Sequence, residues 1–143
     1  MNIMLHPASL DPLPLPLPLF GRLVPAGFPS PADDYLEGEI DLNRYLIERP
    51  AACYFMRVSG PSMEGAKIFD GDIVAVDRSL EPQPGHIVVA VVSGEMTIKR
   101  LRQLKDGRFI LKAEHPSYPS MIICEENPAE IWGVVVGSVR KLA

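Results

Sequence analysis

Residues 11–20 read DPLPLPLPLF, and eight of the fifteen prolines fall within the first 31 residues. Each proline fixes φ and removes a backbone donor, so this segment can be neither a helix interior nor a central strand. Extended, polyproline-like chain is its natural state. Either it is a linker, or its alternating leucines line one side of a peptide that docks into a groove. The packed part of the protein must be built from the residues C-terminal to it.

The stretch SPADDYLEGEIDLNRYLIERP, residues 30–50, holds start signals for two short helical pieces. Ser30-Pro31 and Asp41 are the capping residues, and Pro50 stops the second piece. Beyond Pro50 the pattern changes to period two and to β-branched residues. Strands are predicted at 53–58, 72–77, 86–92, 95–102, 108–112, 120–124 and 131–139. Ser93-Gly94 and Asp106-Gly107 read as hairpin turns. Seven short strands without intervening helices predict a mostly β protein. Its antiparallel β-domain spans residues 50–143, preceded by an extended proline-rich arm, residues 1–49, with the short helical pieces.

Hydrophobic residues at 47% and charged residues at 22% are in the range of soluble globular proteins. Of the charge, residues 1–50 carry seven acids and three bases, and the remainder carries eleven of each. The negative excess therefore lies in the arm, and nothing points to direct sequence-specific nucleic-acid binding. The one basic run, Lys99 to Lys112, has six bases and one acid. It reads as a solvated strand edge or as a contact patch for an acidic partner.

The longest apolar run, Ile87 to Val92, is too short to cross a bilayer, so no membrane association is expected. The N-terminus lacks the charged region of a signal peptide, which makes the cytoplasm the expected compartment. Cys53 and Cys124 stand far apart, outside any metal-ligand spacing. They read as buried small hydrophobes, with no metal and no cofactor implied.

The stretch with most chemical content is VSGPSMEGAKIFDGDIVAVD, residues 58–77. Gly60 permits unusual backbone angles and Pro61 stiffens the approach, so the Ser62 hydroxyl is held in a fixed place. The amides of Ser62 and Met63 could point together and cradle an oxyanion. A serine nucleophile needs a base, and His6, His86 and His115 form no recognisable triad pattern. Lys99, in EMTIKRLRQL, is the other candidate; Thr97, Lys99 and Leu101 share one face of their strand. An exposed strand lysine is only a surface charge. If Lys99 is buried, desolvation lowers its pKa and makes the neutral amine available as a base.

Taken together, SGPSM, IFDGDIVAVD, GHIVVA, MTIKRL and the closing IWGVVVGSVRKL resemble the LexA/UmuD self-cleaving serine peptidases. AGFPSPADDY followed by IDLNRYLI is similar to the UmuD-like members. The resemblance covers about residues 18–143. It implies Ser62 as nucleophile, Lys99 as general base and Ala26-Gly27 as the bond cut, with Val24 and Pro25 docking just upstream. It also implies homodimers, and cutting promoted by a RecA filament on single-stranded DNA during the SOS response to DNA damage. The shortened protein would serve a UmuC-type Y-family polymerase in error-prone translesion synthesis. The contrasting reading is a non-catalytic polymerase accessory or transcription-regulatory module with a vestigial dyad. Where the family often has a glycine pair after Ser-Met, this chain reads Glu64-Gly65-Ala66-Lys67. Gly85-His86-Ile87-Val88 departs from Gly-Asp-Ile-Val, and the arm has no room for the helix-turn-helix of LexA.

Overall fold

The computed structural model describes residues 13–20, 24, 26–28 and 36–143. In chain order its strands are β1 (Leu17–Phe20), β2 (Leu36–Ile40), β3 (Cys53–Arg57), β4 (Ile73–Asp77) and β5 (Ile87–Val92). They continue as β6 (Glu95–Gln103), β7 (Phe109–Lys112), β8 (Met121–Ile122) and β9 (Ala129–Val139), with one helix, α1 (Leu42–Leu46), after β2. The seven strands from β3 onward form one sheet in the order β3-β4-β9-β5-β6-β7-β8, and every neighbouring pair is antiparallel.

The apolar run IVVAVV is explained by where β5 lies, between β9 and β6 in mid-sheet. Successive side chains of a strand point to opposite faces. Val88 and Ala90 join Leu101, Leu111 and Val134 in one core cluster. Val89 joins Val58, Met63, Ile68, Val74 and Val76 in another. A strand covered on both faces has no position left for a polar residue. The β5–β6 hairpin turns at Ser93 and Gly94, with φ of 51° and 78°, the pair of positive angles that a tight two-residue turn demands.

All seven strands predicted after Pro50 are present, so the mostly β, antiparallel reading holds. The arm differs from expectation. β1 and β2 pair antiparallel as a separate ribbon, with Leu17 opposite Ile40 and Leu19 opposite Gly38. Prolines are tolerated in β1 because a two-stranded ribbon has only edges, and a missing donor can face outward. The first helical piece expected after Ser30-Pro31 falls partly outside the described residues, and Leu36–Ile40 is strand. The second piece is α1, capped as expected by the Asp41 carboxylate, which accepts from the Asn43 amide at 3.1 Å. That carboxylate also accepts from the Leu15 amide at 3.1 Å, tying the proline segment to the helix start. The helix ends at Leu46 rather than at Pro50, and Pro50 instead opens a short 3-10 turn. Leu46 packs where β9 lacks a side chain: a Cβ on Gly137 would lie 2.6 Å from its Cδ2.

The basic run from Lys99 to Lys112 lies on β6 and β7, inside the sheet order, yet of its bases in strands only Arg100 is paired on both sides. It is also divided: Arg100 pairs with Glu114, and Arg108 with Asp106. Of the cysteines, Cys53 is buried and desolvation pushes its thiol pKa up. Cys124 is exposed, contrary to the expectation of two buried thiols, because it sits in the turn after β8.

Asp72, just before β4, is clamped by Arg140 beyond the end of β9, with contacts of 2.7 and 2.9 Å. It also accepts from the Phe69 amide at 2.8 Å. The Arg140 hydrogen bonds, then the Phe69 amide, hold its pKa at about 2 instead of 3.8. A carboxylate depressed in the folded state stabilises fully above its unfolded pKa and loses that contribution as pH falls through the folded value. Urea midpoints of the wild type are therefore expected to drop between pH 4 and pH 2. Arg140→Gln should flatten that part of the profile; an equally steep fall in the variant would exclude the clamp as its source.

Candidate active site

Ser62 lies in the turn between β3 and β4, and three constraints shape that turn. Gly60 adopts φ of 88°, the left-handed region expected of it, and its amide donates to Asp70 Oδ1 at 2.8 Å. Met63 is almost wholly buried in the core cluster with Val58, Val74 and Val89. Its side chain therefore anchors the residue next to the serine. Beyond it, a 3-10 turn over Glu64–Ala66 closes the corner.

The turn is fastened from outside by Glu114, in the loop after β7. The Glu114 amide donates to the Ser62 carbonyl at 2.9 Å, and the Gly65 amide donates to the Glu114 carbonyl at 2.8 Å. In a trans peptide the carbonyl and the following N–H point in opposite directions, so the Met63 N–H faces away from Glu114. Among the described residues, the Ser62 and Met63 amides find no acceptor. Gly65 has no room for a side chain, since a Cβ there would sit 2.7 Å from the Glu114 carbonyl oxygen. That oxygen is backbone and cannot rotate aside. Gly65→Ala is expected to cost about 1–3 kcal/mol of stability, read as a lowered urea midpoint. An unchanged midpoint would show that the loop can yield.

Lys99 reaches the turn from β6, where it stands opposite Val88 of β5. Its Nζ lies 3.3 Å from Ser62 Oγ, 2.9 Å from Thr97 Oγ1 and 3.1 Å from the Ile98 carbonyl oxygen. Both Ser62 and Lys99 are half-buried. Burial alone pushes the Lys99 pKa below its ordinary 10.5, with no neighbouring charge contributing. A neutral amine has two N–H bonds and one lone pair. In the neutral form, N–H bonds to the Ile98 carbonyl and to Thr97 Oγ1 would leave the lone pair for the serine hydroxyl.

A cleft of about 210 Å³ opens beside Ser62, with Val58, Val74 and Val89 among its lining and Met56, Met96 and Thr97 around them. No described residue of the arm lines it. Val24 is 91% exposed and Phe28 is 94% exposed. Ala26 and Gly27 form an exposed bend in the connection between β1 and β2, and Pro25 lies outside the described residues.

His86 and His115 are engaged locally: each Nδ1 accepts a backbone amide at 3.1 Å, from Gln83 and Ser117 respectively. His6 lies outside the described residues. No group of three or more metal-ligating side chains is present among the described residues. The sequence singled out Ser62, Met63 and Lys99. It placed Thr97 on the Lys99 face without seeing its hydrogen bond, which strand alternation could have suggested. It missed Asp70 and Glu114, whose contacts cross between loops and leave no local signal.

A family model described as Peptidase S24-like matches residues 18–136. Protein SamA of Salmonella typhimurium is 44% identical over 131 residues, covering 92% of this chain and 90% of that protein. Protein MucA of Escherichia coli is 44% identical over 124 residues, covering 86% of this chain and 84% of its own length. A LexA repressor from Acidithiobacillus ferrooxidans is 44% identical over 128 residues, which is 87% of this chain and 60% of the repressor. With the family model spanning residues 18–136 and relatives 44% identical over most of its length, the chain belongs to the Peptidase S24-like family, the LexA/UmuD group.

Proposed function

We propose that this protein is a serine endopeptidase that cuts itself between Ala26 and Gly27, with Ser62 as nucleophile and Lys99 as general base. The observation that carries the reading is the 3.3 Å approach of Lys99 Nζ to Ser62 Oγ by an amine whose pKa is lowered through burial. Neutral Lys99 takes the hydroxyl proton as Ser62 Oγ bonds to the Ala26 carbonyl carbon. The resulting oxyanion is held by the amides of Ser62 and Met63. Collapse breaks the Ala26–Gly27 bond, and the Lys99 ammonium returns the proton to the departing Gly27 amine. Water, deprotonated by the same amine, then releases Ala26 as a carboxylate and restores the Ser62 hydroxyl.

The small Ala26 and Gly27 suit a narrow cleft, and Val24 and Pro25 would occupy its upstream part. No external substrate is needed. Thirty-five residues separate Gly27 from Ser62. Fully extended, they reach on the order of 100 Å, far enough for the site of the same chain or of a dimer mate. Tethering supplies the effective concentration. Because the bond stands exposed and undocked, the reaction has a gate. In the SOS response a RecA filament on single-stranded DNA would favour the docked arm with neutral Lys99, and need contribute no catalytic group. The shortened homodimer, starting at Gly27, would then act in the cytoplasm as accessory subunit of a UmuC-type Y-family polymerase in error-prone synthesis.

The test is incubation of purified wild-type protein between pH 7 and pH 10.5 without any partner, followed by intact-mass measurement. Loss of residues 1–26 at a rate that rises with pH is expected. An intact mass throughout, in protein that stays folded, would favour the non-catalytic accessory or transcription-regulatory module.

A further inference from the structure

Two consecutive residues of β6 reach the serine turn by different routes. Lys99 meets the hydroxyl directly. Arg100 reaches it through Glu114: its Nε donates to Glu114 Oε1 at 2.7 Å, while its Nη1 donates to the Gly85 carbonyl at 2.6 Å. The backbone of that same Glu114 brackets the turn through the Ser62 carbonyl and the Gly65 amide. We propose that Arg100 is a positioning residue for self-cleavage, its ion pair with Glu114 setting the distance across which Ser62 and Lys99 meet. This role rests on the peptidase reading above.

The elements differ in rigidity, and that gives the pair its effect. β6 is paired to β5 over Glu95–Arg100 and to β7 over Arg100–Gln103, so Arg100 itself stands in ladders on both sides. Glu114 belongs to an irregular loop, which has no ladder to hold it. Without an anchor, the loop and the turn bonded to it can shift against the strand that carries Lys99. The two side chains are 23% and 22% exposed, so solvent screens this pair less than a fully exposed one. A displacement of about 1 Å in a reacting pair costs on the order of 100-fold in rate. Met63 and the Asp70 contact hold the near side of the turn; Glu114 holds the far side.

The test uses the full-length chain and reads the rate of self-cleavage against pH, together with thermal melting. Arg100→Gln combined with Glu114→Gln removes one positive and one negative charge, leaving the net charge near Lys99 as it was. The expected result is a fall of about 10- to 100-fold in the alkaline plateau, with the inflection of the profile unmoved. Arg100→Lys, which keeps a cation but loses the two-pronged grip, should recover part of that loss. A double variant with the wild-type plateau would overturn the positioning role. So would a rate loss that merely follows the fraction unfolded, or an inflection that moves while the plateau stays. A wild-type chain that never cleaves would overturn the peptidase reading and this role together, and is distinguished from the other outcomes by needing no variant.

Discussion

A chain carrying Ser62→Ala is expected to keep residues 1–26 indefinitely, at any pH at which the wild type loses them. Removal of a serine nucleophile from a hydrolase of this kind costs on the order of 10⁴-fold or more in rate, which places the residual cut beyond any practical incubation. Ser62 is half-buried, and its side chain contacts the Lys99 amine. The turn itself is held by Gly60, Met63 and the Glu114 backbone, none of which the substitution touches. Circular dichroism and melting should therefore match the wild type. Appearance of a species starting at Gly27 in this variant would remove Ser62 from the mechanism.

Lys99→Ala is expected to be nearly as severe, about 10³- to 10⁴-fold, and Lys99→Arg should fare no better, because a guanidinium stays protonated across the whole range. The sign of the pH dependence follows from burial. Desolvation disfavours the ammonium and brings the Lys99 pKa below 10.5, so the neutral fraction grows as pH rises and at each pH exceeds that of an ordinary lysine. Below the inflection the wild-type rate should climb about tenfold per pH unit; above it the rate should level. Neither Lys99 variant should show this rise. Losing the amine leaves the fold intact, because the charge that burial penalised disappears with it, and the melting midpoint should hold or increase slightly. A wild-type profile that is flat or falls with pH would rule out Lys99 as the base, and so would an active Lys99→Arg.

The domain from Cys53 onward was legible because its information is local. β-branched runs such as IVVAVV and the Ser93-Gly94 turn state the strands and one hairpin directly. The shape of the Ser62 turn was legible in part, through Gly60 and Pro61, whereas the core anchor at Met63 came only with the structure. What escaped was whatever depends on pairing across distance. Leu36–Ile40 has caps and acids before and after it that suit a helix, yet it is drawn into strand by a partner some twenty residues earlier, Leu17–Phe20. No composition rule marks a proline segment as a pairing strand, since the same residues serve unpaired extended chain equally well. Glu114 was invisible for a related reason: it acts through backbone groups, which every residue possesses, and through a carboxylate whose partner, Arg100, lies on another element. Cys124 went astray because a small hydrophobe in a turn has nothing to bury it.

The ribbon made by β1 and β2 gives the exposed bend at Ala26–Gly27 a second meaning. Four residue pairs join the two strands, and the covalent connection between them supplies the proximity that so short a ladder needs. Were that connection cut, the folded-back segment would be a separate peptide, held only by those four pairs and the Leu15–Asp41 contact. Its departure would strip Leu36–Ile40 of its neighbour and bare a row of unpaired amides and carbonyls, the kind of template on which a strand from another molecule can settle. Proteolysis at this place would thus do more than shorten the chain: it would exchange a self-made bond for a vacancy shaped to receive someone else's.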